Sequence, residues 1–215
     1  MLFLNSIKKK FLEANYPEDK IVIKPNFFLN NLNIRPLIKK KGFLYASRLS
    51  EEKGILDLIN AYNKFNFDLK ICGDGNLKKE VIKIKNINYL GFLDKPKLYQ
   101  EINKSKFLVF PSKWYEGFPK IILEAFALET IVIAPNLGTM SCIIKDRFNG
   151  ILFKPNDIDD LVKKIKWVLN NDKKCNKIKI NAKKILLKKY SEKSNFKQLI
   201  NIYETAIKEN KNHKL

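Results

Sequence analysis

The 215-residue chain holds one histidine, His213, and three cysteines, Cys72, Cys142 and Cys175, with no CxxC and no Cys/His spacing. No zinc site can be built from that set, and no metal is expected. A disulfide framework is not expected either, which points to a cytoplasmic protein. No apolar run approaches the ~20 residues that span a bilayer. The opening MLFLNSIKKKFL begins apolar, but its apolar stretch is too short for a secretory signal, and its charges follow that stretch. Arginine is scarce: Arg35, Arg48 and Arg147 are the only three. The formal charge of +20 is therefore almost all lysine, accompanied by abundant asparagine and isoleucine. All three residue types have A/T-rich codons, so drift in base composition would produce this mixture. The lysines are spread along the chain without the aromatic interleaving of a stacking platform, and no nucleic-acid partner is expected. Weak peripheral contact with an anionic membrane at its inner face stays open as a secondary reading.

Hydrophobic residues make up 45% of the chain, enough for a substantial core, and the length suits one domain with appendages. MLFLN reads as a strand, followed by a lysine-rich helical pattern through Ala14 and the turn NYPED. KIVIKPN and NFFLNNLNIRP read as a linker. From Lys41 the pattern becomes regular. Strands are expected at GFLYAS (42–47), FDLKICGDG (67–75), INYLGF (87–92), KFLVFPS (106–112), TIVIAPN (130–136) and GILF (150–153). Helices are expected at 54–65, 77–85, 95–105 and 119–128, and in three patterns from Ile158 onward. Strands alternating with helices of ~10–15 residues argue for an α/β domain, a doubly wound parallel sheet covered on both faces. No GxGxxG follows the first strand. The loop there carries Arg48 and Lys53, which suit a diphosphate or are merely solvated charges.

The stretch EGFPKIILE (116–124) raises a sharper question. Pro119 suits a helix start, and the apolar residues after it predict a buried helix. Glu116 then sits in a strand-to-helix loop and Glu124 inside the helix. A buried carboxylate needs a partner. One reading pairs Glu124 with a lysine or backbone N–H of its own fold. The other gives it a vicinal diol on a ligand, since a carboxylate accepts from both hydroxyls. Loops after parallel strands are where open α/β sheets bind ligands.

The ordered set RLSEEKG, CGDG, YLGF, PSKWYEGFPKIILEAFA, LGTM and DRFNGILF resembles the C-terminal, nucleotide-sugar-binding domain of family 4 glycosyltransferases of the GT-B fold. The polysaccharide and lipopolysaccharide branch is the nearest in pattern, and the resemblance covers roughly residues 15–205. It implies a Rossmann-like half of a GT-B fold. The implied enzyme is retaining and metal-independent and uses no cofactor. It moves a sugar from a nucleoside diphosphate carrier, UDP- or GDP-linked, to a glycan or lipid-linked acceptor. Arg48 and Lys53 match the pair that grips the donor diphosphate. Glu116 matches the first acid of an E-x7-E motif, lying against the transferred sugar in the catalytic role. Glu124 matches the second, which holds the ribose. Backbone groups of Gly117, Phe118, Pro119 and Lys120 would face sugar and phosphate oxygens. Gly91, Phe92 and Leu93 fall where the family seats the base.

The chain departs from that pattern at several positions. Ser47, Glu129, Ile131, Thr139 and Cys142 replace residues usual in the family: three glycines, a proline and an acid. Glu129 stands where a glycine normally ends the helix in the left-handed conformation. The resemblance also implies three parts: a remnant of an N-terminal domain with the linker (1–30), the donor-binding domain (31–190), and a crossover helix and tail (191–215). Most of an N-terminal domain is then missing, and the implied partner is a separate N-terminal half or a second copy. Two rivals remain: a non-catalytic nucleotide-sugar-binding subunit, and a sugar-nucleotide epimerase of the same fold. The epimerase needs its own acid–base groups and a full second domain.

Overall fold

The computed structural model describes residues 8, 11–29 and 34–212. The strand expected at MLFLN lies outside the described residues, as does His213. From Lys41 the chain alternates strand and helix: β1 (Lys41–Ala46), α1 (Ile55–Lys64), β2 (Leu69–Cys72), α2 (Lys78–Ile82), β3 (Asn88–Gly91), α3 (Lys95–Lys104) and β4 (Ser105–Val109). Then come α4 (Lys120–Ala127), β5 (Ile131–Pro135), α5 (Gly138–Ile143), β6 (Ile151–Phe153), α6 (Ile158–Leu169), α7 (Asp172–Lys189) and α8 (Glu192–Asn212). A short 3-10 turn, Glu51–Lys53, precedes α1.

All six strands pair in parallel, in the order β3-β2-β1-β4-β5-β6. The period of two sends successive side chains to opposite faces. Phe43, Tyr45, Phe107, Val109, Ile131 and Ile133 pack under α1 and α6. Leu44, Ala46, Leu108, Val132 and Ala134 pack under α4, α5 and α7, against residues such as Ile122, Phe126 and Leu186. Strands buried on both faces read as continuous apolar runs, which is why the sheet was legible. The order reverses between β1 and β4, the topological switch point where this class of sheet opens a crevice beyond its strand ends.

Three expectations need correction. The helix expected over 77–85 is only Lys78–Ile82, because residues 83–87 turn back toward β3, with Asn86 at φ 64°. The helix after EGFP begins at Lys120, with Pro119 in the cap position. The short helix α5 was not expected; LGTMSCI offers too few turns for a helical period to show. Asn103 ties the linker to the domain, accepting from the Leu37 N–H at 3.0 Å and donating to the Arg35 carbonyl at 2.9 Å. The N–H of Phe28 bonds to the Tyr190 carbonyl at 2.8 Å, which seats the preceding segment at the junction of α7 and α8.

Glu129 ends α4 in the left-handed conformation, φ 55°. The N–H of Thr130 reaches the Ala125 carbonyl (2.8 Å) and that of Glu129 the Phe126 carbonyl (3.2 Å), a Schellman motif. The left-handed geometry costs a non-glycine residue about 1–2 kcal/mol. A part-exposed ion pair from Lys183 to Glu129 at 2.6 Å offsets a fraction of that. Glu129→Gly should therefore stabilise the fold by about 0.5–1 kcal/mol, read from the urea midpoint. A destabilised variant would show that the ion pair outweighs the strain.

Candidate functional site

Two loops face each other across the switch point. Residues 47–54 follow β1, and residues 110–119 follow β4. Polar contacts stitch them together. The Lys113 N–H donates to the Glu52 carbonyl at 2.9 Å, and the Ser112 hydroxyl oxygen lies 3.3 Å from the same carbonyl. The Lys113 ammonium pairs with Asp57 at 2.9 Å. Gly54, at φ 71°, lets the β1 loop turn into α1 directly beneath the other loop. A Cβ there would lie 1.9 Å from the Pro111 carbonyl oxygen. Only glycine fits both the conformation and the approach.

This stitching brings two expected site residues together. Lys53 Nζ lies 2.7 Å from Glu116 Oε1, and the Ser112 hydroxyl donates to the same oxygen at 2.7 Å. The pair is mostly shielded, with 22% and 15% of the two side chains exposed. Beyond Glu116 the loop is clamped from α5. The buried Thr139 hydroxyl reaches the Glu116 carbonyl at 2.5 Å and the Gly117 carbonyl at 3.1 Å. With the carbonyls held, the N–H groups of Gly117 and Phe118 are left without an acceptor among the described residues. Space beside Gly117 is open, with no heavy atom within 4 Å of a Cβ built there. Unpaired amides at the entry to a helix suit an anion. Phe118 turns its ring onto Tyr190, edge to face at 5.7 Å. Pro119 is buried and Lys120 exposed.

Glu124 lies elsewhere, one turn into α4. It lines a cavity of about 430 Å³ with Lys120, Leu123, Lys95, Tyr99 and the linker residues Phe27, Phe28 and Ile34. Within the protein its partner is a phenol, not the lysine or backbone N–H that the first reading expected. The Tyr99 hydroxyl donates to Glu124 Oε1 at 3.1 Å. Among the described residues no other donor reaches this carboxylate. Burial raises the carboxyl above its ordinary range, opposed by the Tyr99 hydrogen bond and the nearby charges of Lys95 and Lys120. Burial and the adjacent carboxylate push the Tyr99 phenol up to about 12. The result is a half-buried carboxylate with acceptor capacity to spare, facing a cavity.

Arg48 is the third group. Among the described residues its guanidinium makes no ion pair or hydrogen bond, with Glu116 or any other group. Arg48 instead borders a cavity of about 400 Å³ with Ser47, Gly73, Phe92, Leu93 and Leu98. The buried Tyr45 hydroxyl bonds to the Arg48 carbonyl at 2.8 Å and fixes the loop's start. Gly91 closes β3 at φ 70°, its carbonyl accepting from Gly73 at 2.8 Å, and leaves Phe92 exposed. The cations and acids thus border one end of the sheet in three groups, with α3 contributing to the lining of both cavities. Tyr99, Ser112 and Thr139 were not expected among the site residues. Thr139 stood out only as a replacement for glycine; its buried hydroxyl required partners, and those partners are the loop carbonyls.

The model of the family described as glycosyl transferases group 1 matches residues 33–185. The chain is similar to the uncharacterized glycosyltransferase MJ1607 of Methanocaldococcus jannaschii, 30% identical over 219 aligned positions, covering 90% of this chain and 56% of that protein. It is also similar to an α-1,4-N-acetyl-D-galactosaminyltransferase of Campylobacter jejuni that acts on an undecaprenol-linked glycan. That likeness is 26% over 193 positions, covering 84% and 53% of the two chains. The chain spans about half the length of the curated relatives it matches. Anabaena HepE, solved in complex with UDP, shares the fold: TM-score 0.79 at 20% identity, covering 92% of this chain and 61% of that one. Among the described residues no helix is long and apolar enough to cross a membrane.

Proposed function

The chain belongs to the group 1 glycosyl transferases, and from that premise we propose that its switch-point crevice holds a nucleoside diphosphate sugar for transfer. One observation carries the reading. Cations, anion-ready amides and an under-used carboxylate border the same end of one parallel sheet, on the loops flanking the switch point and on the helix that follows one of them. Arg48 and Lys53 hold the diphosphate, joined by the Gly117 and Phe118 amides. As the sugar–phosphate bond breaks, these groups stabilise charge on the leaving diphosphate. Glu116 faces the sugar. Glu124 accepts from the ribose hydroxyls, and Gly91 to Leu93 flank the base. HepE binding UDP, and the lipid-linked substrate of the Campylobacter relative, support a UDP-type donor and a glycan or lipid-linked acceptor. Retention at the anomeric carbon rests on the motif resemblance. So does the division into an N-terminal remnant, a donor domain and a crossover helix.

The Lys53–Glu116 pair gives the proposal a specific consequence. A diphosphate that takes Lys53 must draw it from Glu116, which then turns to the sugar. Glu116→Gln removes a carboxylate beside the phosphates and releases Lys53. Calorimetric titration of UDP, GDP, ADP and their sugars should show the variant binding the preferred diphosphate several-fold tighter, by about 1 kcal/mol, as for a partly shielded pair. The same variant should lose affinity for the intact sugar nucleotide relative to the diphosphate. Equal changes for both would remove Glu116 from the sugar, and no binding of any of the six would remove the function.

A further inference from the structure

We propose that the outer face of α7 (Asp172–Lys189) docks the protein on an anionic lipid surface. The charge excess is not uniform in the fold. Between Lys173 and Lys189 α7 carries eight lysines and no acid; Asp172 at its first position is the only one. The neighbouring helices mix their signs: α6 holds Asp159 and Asp160, and α8 holds Glu192, Glu204 and Glu209. Cys175, Ile178, Ala182 and Leu186 point α7 into the core. Steps of three and four then place Lys173, Lys177, Ile180, Lys184, Leu187 and Lys188 together on the opposite, exposed face. Ile180 is 51% exposed and Leu187 57%. Of the eight lysines only Lys183, on the flank, enters an ion pair with a described residue.

The mixture selects the occupant. Four lysines that make no ion pair with a described residue suit an anionic surface. Two branched aliphatic residues between them demand a partner with accessible hydrocarbon. A helix lying in the interface satisfies both, with its apolar residues dipping toward acyl chains and lysine heads among acidic headgroups. Nucleic acid fits less well, since this face has no arginine for bidentate contacts and no aromatic ring for stacking. This docking face is independent of the donor site.

The test is flotation of the 215-residue chain with phosphatidylcholine vesicles, alone or mixed with phosphatidylglycerol. Binding is expected only with the mixed vesicles and should fall steeply with salt. Glu substitutions at Lys173, Lys177, Lys184 and Lys188 should weaken it at least about tenfold. Glu substitutions at exposed Lys79, Lys83, Lys85 and Lys97 change the net charge identically and should have a far smaller effect. A milder pair, Lys177→Gln with Lys184→Gln, serves if the reversed protein melts early. Ile180→Asn with Leu187→Asn should weaken vesicle binding several-fold and leave any binding to a short DNA duplex unchanged. Equal losses from both lysine sets, no vesicle binding at all, or preferential loss of DNA binding in the α7 variants would overturn the proposal.

Discussion

Glu124→Ala is expected to weaken nucleoside diphosphate binding by about 3 kcal/mol, from the loss of two charge-assisted hydrogen bonds at ~1.5 kcal/mol each. The wild-type carboxylate receives one hydroxyl, from Tyr99, and retains lone pairs toward its cavity. A ribose diol can use them. The diagnostic is a comparison with the 2′,3′-dideoxy nucleotide, which Glu124→Ala should bind about as well as the ribonucleotide. The fold should not suffer, because the carboxyl is raised by burial and is therefore ionised at a cost. A raised acid leaves the folded state holding more protons than the unfolded one in the window above the ordinary carboxyl value. Stability thus falls as pH rises through that window, and the variant should lose this component. Binding runs the other way. Diol contacts favour the ionised form, so ribonucleotide affinity should drop as pH falls through the raised value, and dideoxynucleotide affinity should not follow it. Calorimetry with both ligands at several pH values checks this. A variant that keeps its preference for the diol would take the ribose away from Glu124.

Arg48→Ala is expected to cost about 1.5–3 kcal/mol of diphosphate affinity, roughly 10- to 150-fold, the range for a hydrogen bond to a charged group. Its side chain is exposed and makes no ion pair with a described residue, so the fold should change by less than about 0.5 kcal/mol. Arg48→Lys should recover only part of the loss, because a point charge cannot reproduce the planar fork. Affinity from calorimetry and stability from urea melts separate the two effects. Unchanged affinity in Arg48→Ala would leave Lys53 and the loop amides as the whole diphosphate site.

Much of the fold was legible because β1, β4 and β5 are buried on both faces and read as unbroken apolar runs. Elements without a packing signature were not. α2 is half the length that its lysine-rich pattern suggested, and α5 spans fewer than two turns. At the site, residue types were legible and pairings were not. Lys53 and Glu116 are 63 positions apart in sequence, and only the crossover of β4 beside β1 brings them to 2.7 Å. Tyr99 was not singled out, since nothing local marks a phenol whose partner lies 25 residues away. Glu129 was the reverse case. A residue wrong for its conformation was visible in the sequence, and the structure adopts that conformation regardless.

The central claim is that a nucleotide sugar lies across the switch point between β1 and β4. The most direct measurement is a backbone amide titration by NMR, with UDP and then UDP-glucose added to the labelled chain. The account predicts shifts at Lys53, at Gly117 through Lys120, at Glu124 and at Phe92, with Glu116 and Gly117 responding further to the sugar. Residues at the opposite end of the sheet, such as Lys41 and Lys106, should not move. Shifts concentrated at that opposite end or along α7, with the two switch-point loops silent, would contradict it.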